Sequence, residues 1–315
     1  MRLILAPMQG LVDDVMRDVL TRIGGFDACV SEFVRVTHTV HGRGMWLKLV
    51  PELEYNAQTF AGIDCTVQIL GSDAENMALN AQEALKYGAK KIDINFGCPA
   101  TTVNRHQGGS VLLREPQRIE HIVKIVRAAL PEHIPLSAKM RLGYEDKALF
   151  LDCAHAIENG GACEVTVHAR TKIEGYEPPA HWVYVSRIRE ALRIPVIANG
   201  DVFTLEDYKA IKLESGCDSV MIGRGAVRRP DLARQIMRFE QGDAIEEMAW
   251  PEIMQWVRLF FQLCETKAGD SKYPMARLKQ WLGMMKLVYP EAVVLFEAIR
   301  PLKLNHEIAA VLKAA

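Results

Sequence analysis

Along the first three quarters of the chain, short runs of apolar and β-branched residues alternate with longer stretches whose apolar positions recur every three or four residues. The short runs fall at 3–8, 28–33, 65–70, 91–95, 135–141, 163–168, 195–199 and 217–223, and each suits a strand. Helical spacing fills most of the gaps. Residues 73–87 place Ala74, Met77, Ala78, Ala81, Ala84 and Leu85 on one stripe that Gly88 closes. Residues 116–130 open on a first-turn proline and carry Ile119, Ile122, Val123, Val126 and Leu130. Residues 147–159 and 205–213 read the same way, each followed by glycine within three residues. Eight strand-then-helix units across about 240 residues are the arithmetic of an α/β fold closed as a (β/α)8 TIM barrel. An open doubly wound sheet is the alternative, less natural for eight regular units.

Two segments depart from this rhythm. Residues 34–64 have no strong period and carry Arg35, His38, His41, Arg43, Trp46 and Lys48. A stretch that long is either a functional lid or a solvated excursion with a helical turn of its own. Beyond residue 241 strands cease, and 250–267, 273–289, 291–299 and 305–313 are all helical in period. One stripe there is Ile253, Val257, Phe260, Phe261 and Cys264; another is Met275, Leu278, Leu282 and Met285. The expectation is a barrel over 1–242 with a C-terminal helical bundle over 243–315.

Composition narrows the class. The 315 residues are 49% hydrophobic, ample for a large core, and the net charge of −1 offers no global basic field for nucleic acid. A local basic surface stays open. Seven cysteines, an odd number without metal or redox spacing, fit reduced thiols in a cytoplasmic protein, and Cys65, Cys163 and Cys217 begin expected strands as core residues. Neither a signal peptide nor a membrane helix is expected: Pro7 breaks the apolar start, and no apolar run approaches the roughly 20 residues of a span.

Chemistry gathers at strand ends. The run Lys91-Ile92-Asp93-Ile94-Asn95-Phe96-Gly97-Cys98-Pro99 reads as a strand halted by a Gly-Cys-Pro turn. Cys98 then stands at the strand's mouth, where barrel enzymes keep their reactive groups. Gln9 follows the first strand, Gln68 lies late in the third, Lys139 and Arg141 end the fifth, and His168 ends the sixth. Any one of them could be a satisfied core residue; their shared position favours a common pocket. After the last two strands come Ala198-Asn199-Gly200-Asp201 and Met221-Ile222-Gly223-Arg224-Gly225. Glycines for close backbone approach and an arginine fork at those places suit a phosphate. The run from Gly223 to Arg228 is no dinucleotide fingerprint, because Arg228 replaces the third glycine and the run follows the last strand.

A mononucleotide phosphate with a lysine and a glutamine near its ring suggests flavin mononucleotide (FMN). Taken in order, Ala6-Pro7-Met8, Val67-Gln68-Ile69-Leu70-Gly71, Asp93 to Pro99, Lys139-Met140-Arg141, Val167-His168-Ala169-Arg170-Thr171 and the two glycine loops resemble the tRNA-dihydrouridine synthases over the whole chain. Phe96 is a small departure at a variable place. The stretches Ser31 to Val36 and Ala276 to Trp281 are similar to the C branch, which acts on uridine 16 of the D-loop.

The resemblance implies Pro7, Met8, Gln9, Gln68, Lys139 and His168 around the flavin ring, with Asn199, Gly200, Asp201, Gly223 and Arg224 at its phosphate. It implies Cys98 as proton donor and Asn95 beside the substrate base. With net charge near zero, tRNA is expected on a local positive track from the barrel mouth (Arg35, Arg141, with Tyr176) to the helical region (Arg277, Lys279, Arg300). Arg277 and Lys279 point about 200° apart on an ideal helix, so the alternative is that one of them only solvates the bundle. NADPH would be a visiting reductant, and the enzyme a cytoplasmic monomer with no metal. Two other readings remain: a barrel flavoprotein acting on a free pyrimidine or enone, in the manner of dihydroorotate dehydrogenase, and a non-catalytic RNA-binding module. The helical C-terminal region argues against the first, and Cys98, Lys139 and Arg224 against the second.

Overall fold

Nine parallel strands carry the framework of the computed structural model, which describes residues 1–315. They are β1 (Arg2–Leu5), β2 (Ala28–Val30), β3 (Val34–Arg35), β4 (Asp64–Leu70), β5 (Ile92–Phe96), β6 (Leu136–Arg141), β7 (Glu164–His168), β8 (Val196–Asn199) and β9 (Ser219–Ile222). β1 pairs with both β2 and β9, and β2 pairs with β4, so β1, β2 and β4 through β9 close into a ring. The closed barrel was expected. The two-residue β3 was not: it is grafted onto the end of β4, and β2 stops at Val30 rather than Phe33.

Around the ring lie α1 (Asp14–Ile23), α2 (Arg43–Leu49), α3 (Ala74–Lys86), α4 (Thr101–Asn104), α5 (Pro116–Ala129), α6 (Phe150–Asn159), α7 (Trp182–Ala191), α8 (Leu205–Ser215), α9 (Arg224–Arg228) and α10 (Leu232–Gln241). α11 (Trp250–Ala268), α12 (Tyr273–Met285), α13 (Pro290–Ile299) and α14 (Asn305–Ala314) follow. No helix is long and apolar enough to cross a membrane.

Each strand sorts its residues by parity. Leu3, Leu5, Val67, Ile92, Ile94, Val165 and Val167 face outward into one large core shared with the helices. Inside the ring sits a small apolar plug of Ile4, Ala6, Val30, Ile197 and Met221. The remaining inward positions are polar, and Gln68, Asp93, Asn95 and Ser137 bond one another across strands. Ile253, Phe260, Trp281 and Ile299 belong to the same core as the barrel residues. The helical region beyond residue 242 is therefore fused to the barrel rather than tethered to it.

Of the two readings of residues 34–64 the lid fails: none of the segment borders the central cavity, and Trp46, Val50 and Leu53 are buried in the main core. The excursion with a helical turn of its own is closer, since residues 37–45 are mostly exposed and lead into α2. Its anchor is an ion pair in which the fully buried Arg17 of α1 donates to Glu52 at 2.7 and 3.0 Å. Cys163, expected in the core, is exposed just ahead of β7, whereas Cys65 and Cys217 are buried. A strand's first residue emerges at the barrel's rim, where parity no longer guarantees cover.

Candidate active site

A cavity of about 570 Å³ opens at the C-terminal ends of the strands. Pro7, Met8, Gln9, Gln68, Asn95, Cys98, Lys139, Arg141, His168, Tyr176, Asn199, Gly200, Asp201, Gly223 and Arg224 all line it. Parallel pairing explains the convergence. Every strand ends at the same rim, so residues far apart in sequence arrive together.

The Gly-Cys-Pro turn is built from Asn95. Its side-chain oxygen accepts the backbone N–H groups of Gly97 at 2.8 Å and Cys98 at 2.9 Å. Its amide nitrogen donates to the Gln68 side-chain oxygen at 2.8 Å, and the Gln68 amide nitrogen donates to Asp93 at 2.8 Å. The Ser137 hydroxyl donates to the other Asp93 oxygen at 2.7 Å. This chain has one direction, because a backbone N–H only donates at one end and a carboxylate only accepts at the other. From the far side, Asn104 donates to the Cys98 carbonyl at 3.0 Å. Burial pushes the Cys98 thiol above its ordinary 9.0, so it holds its proton at neutral pH.

Opposite lie the basic groups of β6 and β7. Lys139 donates to the Asn199 side-chain oxygen at 3.1 Å and forms no ion pair with a carboxylate. Burial, with Arg141 as a like-charged neighbour, brings it down to about 8. Burial and the Arg141 and Lys139 charges hold His168 well below the ordinary histidine range, in its neutral form. Arg141 donates to the carbonyls of Gly97 at 2.9 Å, Thr171 at 3.0 Å and Gly175 at 2.9 Å. It thereby ties the cysteine turn to the loop after β7.

At the other end, Asp201 holds a left-handed backbone (φ 54°) beside Gly200 (φ 130°). A Cβ on Gly200 would stand 3.2 Å from the His168 ring. Arg170, fully buried and not distinguished as a site residue by the sequence of its motif, pairs bidentately with Asp201. Arg224 reaches the same carboxylate at 3.2 Å and lies over the Tyr176 ring at 4.5 Å. Its side chain stays partly exposed toward the cavity. A lysine without an acidic partner at one end and a partly exposed arginine beside glycine backbone at the other fit an electron-rich ring joined to a phosphate. Phe33, Thr101, Phe203 and Met284 also line the cavity. None carried a sequence signal, since apolar and small polar residues there look like any core or loop position.

The cations expected at the tRNA make contacts of their own within the protein. Arg277 is 7% exposed, and its guanidinium is occupied by Asp13 and by the carbonyls of Gly10 and Leu11. Lys279 turns the other way and donates to the carbonyls of Arg300 and Leu302 at 3.0 and 2.7 Å, closing the end of α13. Arg141, 2% exposed, borders the cavity and is held by carbonyls rather than offered to a surface. Arg35 and Arg300 remain accessible. Arg35 touches only the Thr102 carbonyl at 3.4 Å, and Arg300 pairs with Glu297 at 3.3 Å in the open.

Known proteins resemble this chain over nearly its whole length. Residues 4–304 match the family described as dihydrouridine synthase (Dus). A tRNA-dihydrouridine(16) synthase of Neisseria meningitidis serogroup A is 63% identical over 99% of this chain and 94% of its own. Another of that name, from Aquipseudomonas alcaligenes, is 50% identical over 95% of both. Among solved structures, an old yellow enzyme homologue from Zymomonas mobilis superposes with TM-score 0.52 at 15% identity, over 81% of this chain and 92% of its own. A 2-naphthoyl-CoA reductase gives TM-score 0.58 at 11% identity, over 77% and 50%. These two likenesses are of fold alone.

Proposed function

The chain belongs to the dihydrouridine synthase family, and from that premise we propose that its cavity binds FMN, that NADPH reduces the flavin, and that Cys98 protonates the substrate base. The reaction is the flavin-dependent reduction of the C5=C6 bond of uridine 16 in tRNA. The observation that carries the assignment of roles is Cys98, a protonated thiol fixed on its turn across one cavity from Lys139 and Arg224.

A bound reduced flavin supplies the hydride equivalent for C6 of the base. The protein's own groups do the rest. Gln68, Lys139 and His168 border the ring's place; Lys139 offers a positive charge to an electron-rich edge, and neutral His168 adds no competing cation. Gly200, Gly223 and Arg224 offer backbone and guanidinium to the phosphate. Hydride arrival at C6 places enolate character across C5 and O4, and the Cys98 thiol gives its proton to C5. The thiolate left on Cys98 regains a proton from solvent. Asn95 holds the thiol's turn, and Arg141 closes the wall behind it.

The reading includes tRNA engaged by the barrel mouth and the helical region, with the protein acting as a cytoplasmic monomer. Incubation with unmodified tRNA and NADPH, followed by mapping of dihydrouridine, tests it. Product at position 16 from a yellow protein supports the proposal. A colourless protein, or product at another position, overturns it.

A further inference from the structure

Two loops at the phosphate end of the cavity leave the barrel side by side. His168 of β7 and Asn199 of β8 are register partners, so Arg170 and Asp201 each stand two residues beyond a paired position. Arg170 engages all three of its guanidinium nitrogens there. Nη1 donates to one Asp201 oxygen at 2.9 Å, Nη2 donates to the other, and Nε donates to the Glu177 carbonyl at 2.7 Å. The side chain is fully buried and takes no part in the cavity wall. Arg224 is its opposite: it lines the cavity, stays partly exposed, and meets Asp201 by a single contact at 3.2 Å.

An aspartate beside a phosphate is unfavourable by itself, because like charges repel strongly where water is scarce. Asp201 is nonetheless fixed at the cavity, on a left-handed backbone next to Gly200. Left alone, its carboxylate would draw Arg224 into a two-point pair. Arg170 occupies both oxygens first, so only one Arg224 nitrogen is engaged. Positive charge around it is in surplus. Arg228 lies over the Phe203 ring at 4.5 Å, Arg224 lies over the same ring at 5.4 Å, and the buried Nε of Arg228 has no hydrogen-bond partner. Burial lowers Arg224 from its ordinary value, and the charges of Arg228 and Arg170 push it the same way. Three guanidiniums gather around one carboxylate, which leaves room for an anion.

We propose that Arg170 is a positioning residue for the flavin phosphate. By compensating Asp201 it leaves Arg224 to the phosphate, and so makes the site select FMN over unphosphorylated riboflavin. This deepens the functional reading above and rests on it.

The test uses the full chain, stripped of flavin and titrated separately with FMN and with riboflavin while flavin fluorescence is followed. The ratio of the two affinities isolates the phosphate, since both flavins carry the same ring and ribityl chain. Arg170→Gln should lower the FMN-to-riboflavin ratio about tenfold or more, with riboflavin affinity little changed. Asp201→Asn should keep the ratio at or above the parent's, because the amide oxygen still accepts from Arg170 while the charge is gone. The double variant, Arg170→Gln with Asp201→Asn, should return the ratio to the parent's range.

A double variant as poor in FMN preference as Arg170→Gln alone would make Arg170 a direct phosphate ligand and overturn the inference. Equal losses of FMN and riboflavin in Arg170→Gln would reduce Arg170 to a structural strut and overturn it too. So would a ratio below the parent's in Asp201→Asn, which would give the carboxylate itself a favourable part. If Arg170→Gln does not fold, comparison of Asp201→Asn with the double variant decides, since neither buries an unpaired carboxylate. A parent that binds both flavins equally would overturn the inference as well. One that binds neither would refute the functional reading instead, so the two failures are distinct.

Discussion

The side-chain oxygen of Asn95 accepts the backbone N–H of Cys98 at 2.9 Å, three residues further along the chain. The reactive thiol is therefore aimed by an amide whose own orientation is decided elsewhere, by Gln68 and finally by Asp93. Asp93→Leu would leave the Gln68 amide without its acceptor, an unmade buried bond worth about 1–3 kcal/mol. Gln68 and Asn95 would be free to flip, and the cysteine turn would lose its anchor. Turnover should fall at least about tenfold, and the rate of Cys98 alkylation should change. Asp93→Asn should stay near the parent, because its oxygen still faces Gln68 while Ser137 turns its proton toward the Ile92 carbonyl. Equal effects from the two substitutions would remove the polarity argument.

Cys98→Ala should retain flavin and tRNA affinity while losing turnover. General acid catalysis contributes about 10²–10⁴-fold, and the deficit in single-turnover reduction of tRNA should fall in that range. Reduction of the flavin by NADPH should be unaffected. Parent-like turnover would end the proton-donor role.

Arg224→Ala should weaken flavin retention with little effect on folding. Asp201 keeps its bidentate bond to Arg170, so the loop after β8 stays anchored when Arg224 is gone. Equilibrium dialysis compares the two proteins, and equal affinity would place the phosphate elsewhere.

Lys139 sits at about 8 when folded, against its ordinary 10.5. Between those values the unfolded chain holds a proton that the folded chain has released, so stability of the flavin-free protein should rise with pH across that window. Below pH 8 the folded protein carries the desolvated charge and is the less stable for it. Denaturant melts of flavin-free parent and Lys139→Met at pH 7 and pH 10 read this directly. The substitution should stabilise at pH 7 and lose that advantage by pH 10; the same difference at both pH values would contradict it.

Arg35 and Arg300 are the accessible cations with the fewest internal partners, and each is proposed to meet tRNA at the surface. Arg35→Glu and Arg300→Glu should each weaken tRNA binding and flatten its salt dependence, while NADPH oxidation by the flavin is spared. An unchanged slope in both would remove these two from the RNA surface.

Much of this protein was legible in one dimension. The β-branched runs and 3.6-residue stripes indicated a closed barrel with trailing helices, because those periods follow from backbone geometry alone. Turn residues marked the strand ends, and a parallel barrel brings all such ends to one rim. The cavity's polar lining could thus be named from sequence. Parity within a strand was different. Asp93, Asn95, Ser137, Lys139 and Thr166 alternate with apolar residues as a solvent-facing edge would, yet ring closure turns them inward and makes them partners. The partner of Arg277 was equally hidden. Helical spacing tells which residues share a face but not what stands opposite, and Asp13 lies 264 positions away. A positive charge in a sequence does not show which carboxylate it will meet. Only the packing of α12 against the first barrel loop brought Asp13 to Arg277.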